Sequence, residues 1–511
     1  PQTRLDAVRL LQLGLGDVKL VQNKVDVFDG YVANAIDLVP EMVRGRVIDE
    51  LAPLFPTGEA EVDRELARLL AMLSAESPGL LARWAGLWSD GNSRQEDDVH
   101  YLVAACKLPG PRPPEFTARC ASALAQLHHT MLADRKEPSR FWPVRVGETF
   151  ERLLALDPAL APALISDPAF GLADHCIFAK LMPEPPRTAA ARKLLAAAVE
   201  RERTKQPAWT PELIELVAAL PAADVLPHLR RQWPNVALRD PLALALARRA
   251  AAEDRGRLVE ALGSMQGGVV TSVASALRPL PGKPSEAELL AVVTALRRFC
   301  MAPAERKTRE ALRALLNDWT GQKIAVKESG DLLAAHAVWF DWYSKAHPQA
   351  AQKLAGTGEV DLTAWKQRLI KVNWAAGDAR RGRTLFEQRA CHRCHEGGYR
   401  LGPDLRGVGG RWSREDLFYN IVDPNRDVSP TYSHTVIIDR GGESYAGVLV
   451  YESPSVKLLQ VAPDTTLRFA ENDVREVRTG RTSLMPSGLL DGLADGDLAD
   501  LYTYLKTEGT K

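Results

Sequence analysis

The sequence predicts a mainly α-helical chain in two parts. A long array of short helices comes first, then a compact helical domain interrupted by a small antiparallel β insertion. Three observations predict this. From residue 3 to about 347, apolar side chains recur every three to four residues in short segments broken by Pro and Gly. From residue 432 to 477 the period switches to alternation, the signature of strands. Between the two patterns stands C-x-x-C-H, at residues 391–395, preceded by a short amphipathic helix. The 511 residues exceed one ordinary hydrophobic core, which agrees with two or more domains.

Residues 62–73 (VDRELARLLAML) put Leu66, Leu69, Leu70 and Leu73 on one helical face. Residues 116–131 repeat the style with Cys120, Leu124, Leu127 and Met131. Further helical segments cover 211–220, 241–251, 257–262, 286–299 and 310–319. Loops are expected at Pro109-Gly110-Pro111, Pro183-Glu184-Pro185-Pro186 and Pro279-Leu280-Pro281-Gly282. Two-helix units spaced by roughly forty residues predict an α-solenoid of the HEAT kind. Its clearest unit is 255–280, a helix, a turn at Gly263-Ser264 and a second helix. Residues 331–348 form the most aromatic helix, with Trp339, Phe340, Trp342 and Tyr343. It is expected to end the array, with Trp339 and Trp342 filling the junction to the next domain. The expected boundaries are 1–348 for the array, 349–376 for a connector with a helix over 361–372, and 377–511 for the last domain.

The chemistry is stated at Cys391-His392-Arg393-Cys394-His395. C-x-x-C-H is the attachment signature of c-type haem. Two thiols one helical turn apart can each add to a porphyrin vinyl group, and the following imidazole can coordinate the iron. A zinc site would need a fourth ligand and usually a second Cys/His pair, and no such pair follows. A redox dithiol belongs near a βαβ pattern, which is absent. His392 is expected to be exposed. Downstream of Phe386 the one methionine is Met485, so a thioether ligand within this domain would be that residue.

The surrounding stretches carry a resemblance. GDARRGRTLF, CHRCH, LGPDLRGVGGR, IVDPNRDVSPTY, SLMPSGLLDGL and DLADLYTYL cover about the last quarter of the chain. From about Gly377 onward it resembles a class I cytochrome c. More narrowly, it is similar to the haem-binding domain found in large proteins of Planctomycetes and Verrucomicrobia. The resemblance implies one covalent haem c on Cys391 and Cys394, with His395 and Met485 as axial ligands. It implies that the Pro403 carbonyl fixes the other ring nitrogen of His395. Phe386, Leu405, Leu489, Leu501 and Tyr504 are implied as haem-pocket or helix-contact residues, and Arg406 or Arg411 as partners of a propionate. Helical repeats commonly precede this domain, and an insertion is found where the alternating stretch lies. That insertion, at about 431–480, is expected to hold four or five short strands in a small antiparallel sheet, with a closed SH3-like barrel as one arrangement.

Composition narrows the function. Lys plus Arg equals Asp plus Glu, 65 of each, which removes the global electrostatic case for nucleic acid. No window reaches the apolar length of a membrane span, and residues 1–25 lack the apolar core of a signal peptide. The first residue is Pro, so either a leader has been removed or the chain is a segment of a longer polypeptide. Covalent haem is attached outside the cytoplasm, which places the expected location in the periplasm or cell envelope. Cys106, Cys120, Cys176 and Cys300 are expected to be buried free thiols, with a Cys106–Cys120 bridge as the alternative. Asp97-Asp98 with His100 fits part of a metal site or a solvated helix start equally well, His128-His129 point to different faces of a helix, His175-Cys176 reads as a core turn, and the glycine-rich 407–410 reads as a haem-side loop. His434, the other downstream imidazole, is expected on the surface of the insertion. The expected function is one-electron transfer, an electron-transfer module more than a catalyst. The array would be a docking scaffold for a redox partner, a dehydrogenase or another cytochrome. An enzyme or sensor with an open haem position for peroxide or a diatomic gas is one alternative, and a scaffold with structural haem is another.

Overall fold

The computed structural model describes every residue except 1, 18–26, 89–94, 134–141, 205–207, 236–237, 265, 301–304, 329–330, 349–361, 390, 396–400, 430–431, 442–443, 453–455, 463–464, 486–488, 491–492 and 509–511. The chain is mainly helical, with one five-stranded antiparallel sheet. It separates into two compact units, residues 1–220 and 221–511. This division falls inside the helical array, where no composition shift marks it.

In the first unit, apolar spacing becomes burial as expected. Helix Ala60–Met72 buries Val62, Leu66, Leu69 and Leu70 along one side. Helix Gln2–Gly14 packs on it, and it packs in turn on Gln95–Ala105. Pro114–Ala133 touches both Gln95–Ala105 and Leu160–Ser166. These helices thus meet a near successor and often the one beyond it, so their apolar stripes are covered by local partners. Pro186, which reads as loop, instead opens helix Pro186–Arg203. A proline is tolerated there because the first turn's N–H groups have no intrahelical acceptor to lose.

The second unit has its own packed helices. Arg239–Ala247 touches Arg255–Ala261 and Gly267–Leu277, and Gly267–Leu277 touches Arg306–Thr320. Glu286–Cys300 touches Arg306–Thr320 and Leu332–Ala346. The unit at 255–280 is built as expected, with Gly263 and Ser264 donating to Glu260 and Ala261 carbonyls at the turn (both 3.0 Å). Asp331 starts helix Leu332–Ala346, accepting from the Leu333 (2.9 Å) and Ala334 (3.3 Å) amides. Within that helix Trp339 is fully buried and edge-on to Trp342 at 5.7 Å. The open stretch expected at 349–360 lies outside the described residues.

Helix Leu362–Lys371 is no free connector. Its Leu369, with Val372, joins one core with Phe386, Phe418, Leu498, Leu501 and Tyr504. The helices that supply this core are Ala379–Gln388, Arg414–Val422 and Asp495–Glu508. Ala379–Gln388 crosses Asp495–Glu508 so closely that a side chain at Gly382 would run into the Asp500 carbonyl. Trp374 packs on Phe418 (5.3 Å) and Tyr502 (5.5 Å), with the Arg414 guanidinium over its ring at 4.6 Å.

The insertion is a five-stranded sheet, a four-stranded meander whose fifth strand returns to pair with the first: β1 Ser433–Asp439, β2 Ser444–Glu452, β3 Val456–Ala462, β4 Thr465–Ala470 and β5 Val474–Ser483. The order is β4-β3-β2-β1-β5, all antiparallel. The first half of β2, to Gly447, pairs with β1, and the second half, from Val448, pairs with β3. Gly447 sits at the changeover, where a side chain would strike the Gln460 carbonyl. The bend encloses a small core of Ile437, Leu459 and Phe469. The ladder does not close into a full barrel, because β4 and β5 are its two edges. Around this sheet, Lys307 donates to the Gly441 carbonyl (3.3 Å), and β2 lies beside helix Gly267–Leu277.

Candidate functional site

Asp378 begins the site. Its carboxylate accepts from the Arg380 and Arg381 amides (2.9 Å each), starting helix Ala379–Gln388. Its own amide donates to Asp500 at 2.7 Å. Asp500 is 4% exposed and also takes a two-pronged contact from the Arg381 guanidinium (2.6 and 2.8 Å). Arg381 holds the Asp500 carboxyl below the usual carboxylate range. Phe386, one turn on, packs on Tyr504 with ring centroids 5.1 Å apart. Phe386, Leu501 and Tyr504 therefore act as helix contacts between the first and last helices of the domain.

That helix delivers the chain to a single turn, Cys391–His395, which carries the motif. Cys391 and Cys394 are both half-buried and unbridged. Cys391 packs against the domain core, and burial pushes its thiol up to about 12, so the thiol is protonated. His392 is half-buried, a correction to its expected exposure.

His395 is held from two directions. Its Nδ1 lies 2.8 Å from the Pro403 carbonyl. A carbonyl can only accept, so Nδ1 carries the proton and Nε2 keeps its lone pair. Burial lowers the pKa of the ring, which outweighs the opposing effect of that carbonyl and keeps it neutral. Gly402 lies flat against the imidazole: a Cβ there would stand 2.6 Å from Cε1 and 2.9 Å from Nδ1. The Gly402 amide donates to the Cys394 carbonyl at 2.9 Å, tying the two segments together. The turn offers two thiols and an oriented, neutral imidazole, donors suited to a covalently bound metallocofactor.

The remaining expected residues divide. Met485 is half-buried, with its amide donating to Ser483 Oγ (3.1 Å), and residues 486–488 after it are outside the described set. Leu405 packs against the core and Leu489 is half-buried. Arg406 makes a fork to the Asp404 carboxylate (2.8 and 2.6 Å), and Arg411 donates to the Asp404 carbonyl (2.6 Å). Both arginines thus contact residue 404. His434 is half-buried in β1.

Gly402, Asp404, Gly382 and Asp500 were not singled out from the sequence. The signal for Asp500 was there, a carboxylate on the apolar face of the closing helix. Cys106, Cys120, Cys176 and Cys300 are buried free thiols, with no bridge between Cys106 and Cys120. Burial raises the pKa of all four. Among the described residues no three His, Cys, Asp or Glu side chains gather as a metal site, and no helix is long and apolar enough to cross a membrane. No family model matches the chain.

Proposed function

We propose that this protein is a c-type cytochrome of the periplasm or cell envelope, carrying one electron at a time. One haem would be bound through Cys391 and Cys394, with His395 and Met485 as axial ligands. The helical array before it would be a HEAT-like solenoid that docks a redox partner, a dehydrogenase or another cytochrome. The observation that carries this reading is the His395–Pro403 hydrogen bond inside a C-x-x-C-H turn. It fixes the tautomer whose free nitrogen can coordinate iron, which a redox dithiol does not require.

The residues fit the group they would hold. Cys391 and Cys394 stand one turn apart with no disulfide between them, the arrangement that thioether formation would need. Gly402 leaves no side chain in the space of the imidazole. The haem, when bound, supplies a one-electron ferric/ferrous couple. The chain's part is to hold that group rigidly, to present a neutral imidazole through Nε2 and to offer the soft thioether of Met485. A thioether favours the reduced metal and raises the potential, which suits a carrier fed by a dehydrogenase.

The test compares wild type with Met485→Ala. Wild type should show a low-spin spectrum indifferent to carbon monoxide. The variant should have a lower midpoint potential and bind carbon monoxide readily. Rapid carbon monoxide binding by wild type would favour an open-site enzyme or sensor, and an unchanged spectrum in the variant would remove Met485 from the mechanism.

A further inference from the structure

We infer that Arg411, Asp404 and Arg406 form a brace that positions the His395 imidazole, so that neither arginine serves as a propionate clamp. The inference rests on the haem reading above and adds positioning residues to that site. The acceptor that orients His395 is the carbonyl of Pro403, and residue 404 is the next link in the chain. Both faces of residue 404 are tied. Its carboxylate accepts from the Arg406 amide (2.9 Å) and from the Arg406 guanidinium through Nε (2.8 Å) and Nη2 (2.6 Å). Its carbonyl accepts from Arg411 Nη2 at 2.6 Å.

Arg411 ends the short helix Val408–Arg411. The chain reaches that helix through Gly407, whose φ of +72° places it in the left-handed region. Val408, 3% exposed, buries that helix in the domain core. The contact from Arg411 to residue 404 therefore ties the histidine-holding turn to a fixed part of the fold. On the other side, the Gly402 amide is bonded to Cys394. The Pro403 carbonyl is pinned between these two anchors, and the imidazole rests between that carbonyl and Gly402. The Nη2–H that Arg411 gives to the Asp404 carbonyl is one of a guanidinium's five donors, and Arg406 gives its Nε and Nη2 donors to the Asp404 carboxylate.

The test uses the full chain carrying its haem, in the ferrous, diamagnetic state. The readout is the exchange rate of the His395 Nδ1 proton with deuterated water, followed by NMR well below the thermal midpoint. Arg411→Ala and Asp404→Ala should each speed exchange by about tenfold, equivalent to about 1.4 kcal/mol of lost protection. Arg411→Lys, which keeps a donor, should recover most of the wild-type rate. Unchanged exchange in both alanine variants, with a lower midpoint potential in Arg411→Ala, would overturn the brace and restore the propionate role. Acceleration in Arg411→Ala alone would strike Arg406 and the Asp404 carboxylate from it. Wild-type protein that carries no haem would fell the cytochrome reading itself, a failure distinct from that of the brace.

Discussion

Gly402 shows how much one absent side chain decides. The imidazole of His395 occupies the space a Cβ would take, 2.6 Å from its ring carbon. Gly402→Ala should therefore displace the ring from the Pro403 carbonyl while leaving the distant helical core intact. The expected outcome is a large loss of haem incorporation, tenfold or so, read by haem stain against protein yield, with secondary structure unchanged by circular dichroism. The resemblance implies a partnership of His395 with Pro403, and in the structure His395 Nδ1 lies 2.8 Å from the Pro403 carbonyl. The two arginines were not legible in the same way. A long guanidinium has several donors and many reachable acceptors, so spacing along the chain cannot choose between a propionate and the Asp404 carbonyl.

At the level of the element, the domain depends on the crossing of Ala379–Gln388 with Asp495–Glu508. Asp500 receives the Asp378 amide and the Arg381 guanidinium at the crossing. Asp500→Ala should destabilise the domain by about 1–3 kcal/mol, measured by urea denaturation. The pH dependence has a definite sign. Arg381 depresses the folded pKa of Asp500, so its contribution is complete above the unfolded carboxylate value near 4 and disappears as pH falls through the folded value. Asp500→Asn should flatten the acid limb of the stability profile, and an unaltered limb would remove this carboxylate from the account.

The helical array has its own recurring device, cations capping the carbonyls at helix ends. Arg83 donates to the Ala52 and Phe55 carbonyls (2.8 Å each), Arg112 to Leu108 (2.7 Å) and Ala105 (3.2 Å), and Arg298 to Leu262 (2.6 Å) and Ser264 (2.8 Å). Burial lowers the Arg298 pKa to about 10, with Asp240 opposing. Arg298→Met should strand these carbonyls and cost about 1–3 kcal/mol, seen as a lower urea midpoint. The apolar stripes of these helices were legible because their period is local. The caps made by Arg83 and Arg298 were not, since they join residues 28 to 36 positions apart.

For the whole molecule, the alternation from 432 onward marked all five strands, because a period of two needs no tertiary partner to be seen. Closure of the sheet depends on whether its first and last edges meet, and no local pattern encodes that. The division near residue 220 was equally invisible, since helices on either side share one composition. The proposal as a whole predicts that two thiols become thioethers. The most direct measurement is the intact mass of protein produced in a host that exports it and matures c-type cytochromes, with the peptide bearing Cys391 and Cys394 sequenced by mass. The mass of one haem on that peptide is the expected result. Two unmodified cysteines in fully matured material would contradict the assignment.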